Sequence, residues 1–153
     1  MLISEAVLLD SNVLIYAHNK ASPLHLHAQS LIKQAIKGNI EAVLAQQNLL
    51  EFFSIITDPR RIDKPIPTKE AVSLVKEYLN SPFRIIDPLK ETIEILLDKV
   101  ANLNIKDGRI FDVYLVATML SNKIDSIITA NINDFVGFSG IKVIDLTATM
   151  EWA

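Results

Sequence analysis

Three acidic residues each lie within an otherwise apolar stretch of the sequence. Asp10 directly follows a run of four apolar residues, and Glu51 and Asp112 each have apolar neighbours on both sides. An ionised carboxylate that is buried without a partner costs several kcal/mol, so buried acids are usually ion-paired, hydrogen-bonded or bound to a metal. A divalent cation shared by Asp10, Glu51 and Asp112 would account for all three stretches at once.

A cluster of carboxylates restricts the chemistry that such a site could perform. Acids within about 4–6 Å of one another repel and cannot all stay ionised unaided. Mg²⁺ and Mn²⁺ prefer carboxylate oxygens, keep several waters and bind the phosphates of a substrate. Zinc is disfavoured by an all-oxygen site, and thiol chemistry is excluded because the chain has no cysteine. The acids therefore predict metal-assisted chemistry on a phosphoryl group.

Each acid also has a purely structural explanation, which the sequence leaves open. Asp10 could cap a helix that begins after it. Glu51 could lie on a solvated polar stripe of its helix together with Gln47. Asp112 could form an ion pair with Arg109, three residues earlier in the same helical stretch.

Other polar residues are weaker candidates for the same site. Asp134, in the turn after an apolar segment, could be a fourth acid or a cap before the next residue. Arg60 and Arg61 lie in the most basic part of the chain and could contact phosphates or simply be solvated. Arg109 could serve either Asp112 or a phosphate of the substrate, and His18, two helical turns after the first acid, could lie near the site entrance.

The elements that must position these residues alternate between strands and helices. Apolar runs predict strands at Ala6–Leu9, Ala42–Ala45, Arg84–Ile86, Ser126–Thr129 and Lys142–Ile144. A period near 3.6 residues predicts helices at 27–37, 47–57, 68–80, 89–101 and 109–122. This alternation indicates an α/β fold whose parallel sheet has helices on both faces. Ligands of such sheets bind at the carboxyl ends of the strands, where the first acid is expected.

The whole chain sets further limits. Its 153 residues fit one domain spanning 1–153, and a hydrophobic fraction of 50% is compatible with a partner interface. The net charge of −3 gives no overall attraction for nucleic acid, so any contact needs a local patch. The sequence shows neither a basic leader nor a long apolar span, which predicts a protein without a membrane segment. The absence of cysteine suits the cytoplasm.

Four short motifs follow one another along the chain, at Leu8–Tyr16, Gln47–Glu51, Phe111–Leu120 and Ile128–Phe135. Taken in this order, they resemble the PIN domain family, in particular the VapC-type toxin ribonucleases of type II toxin–antitoxin systems. The resemblance runs from about Val7 to Asp145, and a stretch around 57–61 is also similar to one branch of the family.

The resemblance implies a three-layer α/β fold with about five parallel strands and metal-dependent cleavage of single-stranded RNA. It implies that Asp10, Glu51 and Asp112 hold Mg²⁺ or Mn²⁺. It also implies that Asn12 and Thr129 orient the acids through hydrogen bonds. A homodimer and a small antitoxin protein that blocks the site are the partners expected beside the RNA substrate.

One position departs from the family pattern. Many relatives carry an acid where this chain has Asn131, followed by a second acid at the position of Asp134. Asn131 can bind a metal or form hydrogen bonds but adds no charge. The sequence therefore leaves open whether a second metal site exists. Two other functions therefore stay open: a PIN-like module that binds RNA or protein with weak catalysis, and a phosphotransfer domain with Asp10 as its nucleophile.

Overall fold

The computed structural model describes residues 3–152, and the side chains of residues 5–149. Five strands form one sheet, and six α-helices surround it. The strands are β1 (Ile3–Leu9), β2 (Ile40–Ala45), β3 (Arg84–Ile86), β4 (Ser126–Thr129) and β5 (Lys142–Asp145). The helices are α1 (Ser11–His18), α2 (His25–Ile36), α3 (Gln46–Ile56), α4 (Thr68–Leu79), α5 (Thr92–Leu103) and α6 (Ile110–Ser121). Short 3₁₀ turns occur at Asp107–Arg109, Ile132–Asp134 and Leu146–Trp152.

The sheet is parallel throughout, with the strand order β3-β2-β1-β4-β5. The chain builds outward from β1 to β2 and β3, and then returns to the other side of β1 to add β4 and β5. The order therefore reverses between β1 and β4. In open α/β sheets, the crevice outside the carboxyl ends of the strands at such a switch point is where ligands bind.

Side chains of the central strands alternate between two apolar cores, one on each face of the sheet. Val7 and Leu9 point into the core shared with α1 to α4, and Leu8 points into the core shared with α5 and α6. Val43 and Ile127, the partners of Leu8 in the neighbouring strands, join the same core as Leu8. Since successive residues of a strand face opposite sides, an unbroken apolar run is what a sheet covered on both faces requires.

The predicted fold class is confirmed, and all five predicted strands are present. The main omission is α1, which the sequence indicated only as a possible helix start after Asp10. Helix α5 begins at Thr92 and not at residue 89, because residues 89–92 form a turn. In that turn the Leu89 N–H donates to Thr92 Oγ1 at 2.8 Å, and the Thr92 N–H donates to the Leu89 carbonyl.

Within residues 3–152, none of the helices combines the length and the hydropathy that a passage through a bilayer requires.

Candidate functional site

Asp10 lies at the carboxyl end of β1, at the switch point of the sheet. It is the N-cap of α1, and its Oδ1 accepts a hydrogen bond from the Ser11 N–H at 2.8 Å. Its own N–H donates to the Ile128 carbonyl of β4 at 3.0 Å. The side chain is only 7% exposed. Asp10 therefore does cap a helix, and it is also a buried carboxylate at the edge where ligands are expected.

A hydrogen-bond network ties this acid to β4. Asp10 Oδ2 accepts hydrogen bonds from Thr129 Oγ1 at 2.8 Å and from Asn12 Nδ2 at 3.2 Å. Asn12 also donates to Thr129 Oγ1 at 3.1 Å, and its Oδ1 accepts from the Ala130 N–H. The Thr129 hydroxyl accepts a further bond from the Asn131 N–H at 3.0 Å. Asn12 and Thr129, which the resemblance expects to orient the acids, are thus both hydrogen-bonded to Asp10.

Glu51 of α3 is linked to α1 directly and to α6 through the side chain of Gln47. Oε2 accepts from the Ser11 hydroxyl at 2.8 Å, and Oε1 accepts from Gln47 Nε2 at 2.8 Å. The same Gln47 nitrogen donates to the Phe111 carbonyl of α6 at 2.9 Å. Glu51 is half-buried, so the alternative of a freely solvated polar stripe is wrong. Ser11 and Gln47, which the sequence did not single out for this purpose, fix the orientation of Glu51 relative to α1 and α6.

Asp112 lies in the first turn of α6, next to the residue that Gln47 contacts. The pKa of Asp112 is raised from 3.8 to about 6, chiefly by burial, with the charges of Asp134 and Glu51 acting in the same direction and that of Arg109 acting against them. Among the described residues Arg109 is not within ion-pair distance of Asp112, since its guanidinium donates to the Asp134 carbonyl at 3.2 Å. The proposed Asp112–Arg109 ion pair is therefore not formed.

Asp10 has a raised pKa for a related reason. Burial raises its pKa from 3.8 to about 6 and outweighs the hydrogen bonds from Thr129 and Ser11, which lower it. The charges of Glu51 and Asp112 act in the same direction as burial. The pKa of Asp10 and the pKa of Asp112 are thus each raised in part by the charges of other acids predicted from the sequence.

The acids line one cleft of about 320 Å³ at the carboxyl edge of the sheet. Asp134, the fourth acidic candidate, is part of its wall. The acidic part of the lining consists of Asp10, Glu51, Asp112 and Asp134, with Ser11, Asn12 and Asn131 between them. Asn131 therefore occupies a cleft position where a carboxylate would add a further negative charge.

The basic candidates separate in the structure. Arg61 lines the cleft, whereas Arg60 is exposed and forms an ion pair with Asp58 at 3.1 Å. Arg109 does not line the cleft and instead holds the turn that carries Asp134. His18 lies away from the acids, where its Nε2 is 2.9 Å from the Tyr78 hydroxyl, so the expected position near the site entrance is wrong.

Several cleft residues were missed by reasoning from the sequence. Ile15 and Tyr16 of α1, its C-cap residue Asn19, and Ile55 of α3 form part of the lining that carries no acid. A signal was present, since Tyr16 follows Asn12, and Ile55 follows Glu51, by one helical turn. Residues four apart lie on the same face of a helix, so the acids and these neighbours face the same space.

The donor chemistry of the cleft fits a hard divalent cation. Its carboxylates and amide carbonyls are all oxygen ligands, and no basic side chain lies within ion-pair distance of Asp10 among the described residues. In that part of the chain, however, no three His, Cys, Asp or Glu side chains converge closely enough to hold a bare ion. Mg²⁺ keeps several waters and uses only one or two carboxylates directly. A hydrated Mg²⁺ or Mn²⁺ is therefore compatible with acids that line a cleft.

Comparisons with known proteins agree with the architecture. The chain is 25% identical over 140 residues to Ribonuclease VapC24 of Mycobacterium tuberculosis, covering 90% of this chain and 94% of that protein. In fold it is similar to VapBC2 from Rickettsia felis, solved bound to a promoter DNA fragment, with a TM-score of 0.66, 15% identity and coverage of 92% and 98%. A toxin–antitoxin complex from Klebsiella pneumoniae gives a TM-score of 0.59 at 18% identity, covering 92% and 97%.

The family match covers most of the chain and includes every acid of the cleft. The PIN domain model matches residues 7–136, which begin within β1 and end just after the turn that carries Asp134. With a matched range of this extent, the chain belongs to the PIN domain family.

Proposed function

We propose that this protein is a metal-dependent endoribonuclease that hydrolyses phosphodiester bonds of single-stranded RNA, and that it is the toxin of a toxin–antitoxin pair. One observation carries the proposal: acids from four separate segments line a single cleft at the switch point of a PIN-family sheet. The ribonuclease name of its curated relatives supports the same reaction. The proposal takes residues 1–153 as one PIN-like domain.

The acids proposed to hold the metal, directly or through its bound waters, are Asp10, Glu51 and Asp112, with Asp134 as a fourth catalytic acid. Asn12 and Thr129 act through Asp10, because their donors hold its carboxylate in one orientation. A ligand that is itself hydrogen-bonded keeps its position when the metal binds or leaves. Asn131 is assigned a supporting role as a neutral oxygen donor on the cleft wall.

The side chains have separate tasks in this proposal. A bound Mg²⁺ or Mn²⁺ would supply polarisation of the phosphate and neutralisation of its developing charge. Asp112 accepts the proton of the attacking water, because its carboxylate lines the cleft and accepts no hydrogen bond from the described residues. The buried Asp10 fixes the position of one carboxylate of the cluster relative to the sheet. Arg61, on the cleft wall, contacts the phosphate backbone.

Cleavage of a single-stranded RNA with and without Mg²⁺ tests the proposal. Wild type, Asp10→Asn and Asp112→Asn are compared with Asp98→Asn, which removes an exposed carboxylate on α5 and serves as the matched control. We expect cleavage that requires the metal, is retained in Asp98→Asn and is lost in the two cleft variants. Equal activity in all four proteins would contradict the assignment of the site.

A second candidate function is a PIN-like binding module with weak catalysis. It is favoured by Asn131 on the cleft wall and by the absence, among the described side chains, of a closed ligand cluster. Calorimetric titration with Mn²⁺ separates the two functions, because a module would bind RNA or protein without binding the metal at millimolar concentration. The phosphotransfer alternative has less support, since no lysine is found in the described cleft lining.

The proposed partners are a small antitoxin protein and a second copy of this chain, in the cytoplasm where the RNA substrate is found. Support for the antitoxin comes from the fold similarity to a toxin–antitoxin complex. Co-expression with the small protein encoded by an adjacent reading frame tests it, with co-purification and inhibition of cleavage as the expected results. Light scattering of the purified chain tests the homodimer.

A further inference from the structure

The cleft extends well beyond its acids along one face of α1. Asn12 and Tyr16 are four residues apart and share one face of α1, and Asn19 is the C-cap residue that ends the helix. At a rise of 1.5 Å per residue, the wall extends about 10 Å from Asn12 to Asn19. All three residues line the cleft. The face that begins at the buried acid therefore continues as a neutral wall.

Helix α3 provides a second wall that runs in the same way. Glu51 and Ile55 are one turn apart and both line the cleft. Arg61, from the loop that follows α3, lines the cleft as well. The part of the cleft beyond the acids contains no carboxylate and is called here the neutral end, although Arg61 adds one positive charge to it. It consists of Ile15, Tyr16, Asn19, Ile55 and Arg61.

The neutral end has groups that are free to contact a ligand. Tyr16 is half-buried, and its hydroxyl has no hydrogen-bond partner among the residues whose side chains are described. Arg61 has no carboxylate within 4 Å in the same part of the chain, whereas its neighbour Arg60 is neutralised by Asp58. The half-buried Ile55 adds apolar surface, whereas Ile15 is only 9% exposed and contributes little. The neutral end thus combines an aromatic ring, aliphatic surface and an unpaired guanidinium.

We propose that the neutral end is a subsite for one nucleotide of the RNA, adjacent to the phosphate held at the acids. The Tyr16 ring contacts the face of the base, and the Arg61 guanidinium binds a phosphate of the same strand. The inference depends on the proposed ribonuclease function and adds a specific position for the substrate to it.

The chemistry of the neutral end favours a nucleotide over other ligands. Aromatic side chains that stack on bases, together with basic groups that follow the backbone, are the usual combination in proteins that bind single strands. A purely apolar ligand would leave the Arg61 guanidinium without an anion, and a free phosphate would leave the aromatic and aliphatic surface uncovered. A nucleotide uses both, and its strand continues to the acids along the same two helix faces.

Steady-state cleavage of a short single-stranded RNA with Mg²⁺ tests the role of the ring. We expect Tyr16→Ala to raise KM by about 5- to 100-fold, the range found for loss of one base–aromatic contact. Tyr16→Phe keeps the ring and should stay near wild type, whereas Tyr16→Leu keeps apolar volume but should resemble Tyr16→Ala. Thermal unfolding of each variant shows whether it is folded.

The role of Arg61 is tested by a matched pair of variants in the same loop. Arg61→Gln and Arg60→Gln each remove one positive charge, but only Arg61 lines the cleft. We expect Arg61→Gln to raise KM and to reduce the slope of log affinity against log salt by about 0.7, the value for one phosphate contact on a single strand. Arg60→Gln should change neither, and both positions are exposed, so folding is not at risk.

The results separate failure of the subsite from failure of the ribonuclease function. Wild type that does not cleave RNA contradicts the proposed function itself. Wild type that cleaves, with Tyr16→Ala and Arg61→Gln at wild-type KM and salt slope, overturns the subsite alone. Equal KM values for Tyr16→Leu and Tyr16→Phe would show that the position needs volume and not an aromatic face, which also overturns it.

Discussion

Asp10 and Asp112 have the same raised pKa of about 6, but their surroundings differ. Asp10 is 7% exposed and accepts three hydrogen bonds, from Ser11, Asn12 and Thr129. Asp112 is half-buried and accepts no hydrogen bond from the described residues. One acid is built into the sheet edge, whereas the other is held only through the helix that carries it. The comparison indicates that the Asp10 carboxylate is fixed in position and that the Asp112 carboxylate is adjustable, and the two are called here the fixed acid and the adjustable acid.

The largest expected effect is loss of RNA cleavage when either acid is neutralised. Asp10→Asn and Asp112→Asn should each lower kcat/KM by at least about 100-fold, within the range for loss of an acid–base group. The two variants should differ in stability, because an amide at position 10 must point its NH₂ group either at the Ser11 N–H or at the donors of Asn12 and Thr129, and this loss exceeds the gain from removing a buried charge. Thermal unfolding measured beside activity should therefore show a lower Tm for Asp10→Asn only. Equal Tm changes in both variants would remove the distinction between the two acids.

The next largest effect concerns the network behind the fixed acid. Thr129→Val removes the hydroxyl that donates to Asp10 Oδ2 and accepts from Asn12 and Asn131. We expect a loss of activity of about 10- to 100-fold and a decrease of about 1–3 kcal/mol in the free energy of unfolding. Urea unfolding and RNA cleavage measure the two quantities. Thr129→Ser keeps the hydroxyl and is the control, so a serine variant as impaired as valine would assign the effect to packing.

A smaller effect is expected at Gln47, which links Glu51 to the helix of the adjustable acid. Its Nε2 donates to both Glu51 and the Phe111 carbonyl, while its buried Oε1 has no donor among the described residues. Gln47→Leu loses two hydrogen bonds but also relieves an unsatisfied acceptor, so stability should change by less than about 1 kcal/mol. Activity should decrease by about 10-fold, because Glu51 is no longer oriented. A loss of stability large enough to explain the loss of activity would show that Gln47 has a structural role only.

The smallest effect is a change in the pH dependence of stability at the adjustable acid. Folding raises the pKa of Asp112 from 3.8 to about 6, so its favourable contribution is fully present below pH 3.8 and is lost as pH rises through 6. Asn is neutral throughout. Metal-free Asp112→Asn should therefore be more stable than wild type at pH 7.5 by about 1 kcal/mol, after allowance for solvent screening of a half-buried group. The difference should disappear toward pH 4 in urea unfolding. A difference that is constant with pH would contradict the raised pKa.

Much of the fold could be predicted because its signals are local. Unbroken apolar runs located the five strands, and the periodicity of 68–80 located α4 nearly to the residue. Helix α1 was not predicted as an element, because it begins with two polar residues and the apolar run that follows has no clear helical period. The start of α5 was misplaced, since the hydroxyl of Thr92 holds a turn there that propensity alone does not indicate.

The sequence by itself determined the family, the fold class and the acids, since these depend on residue types and their order along the chain. Only the tertiary structure decided which candidates face one cleft. Arg60 and Arg61 are neighbours in sequence, but only Arg61 lines the cleft. Likewise, Ser11 acquires its role from Glu51, which lies 40 residues away. A hydrogen bond across that separation depends on how helices pack on a sheet, and residue order does not encode it locally.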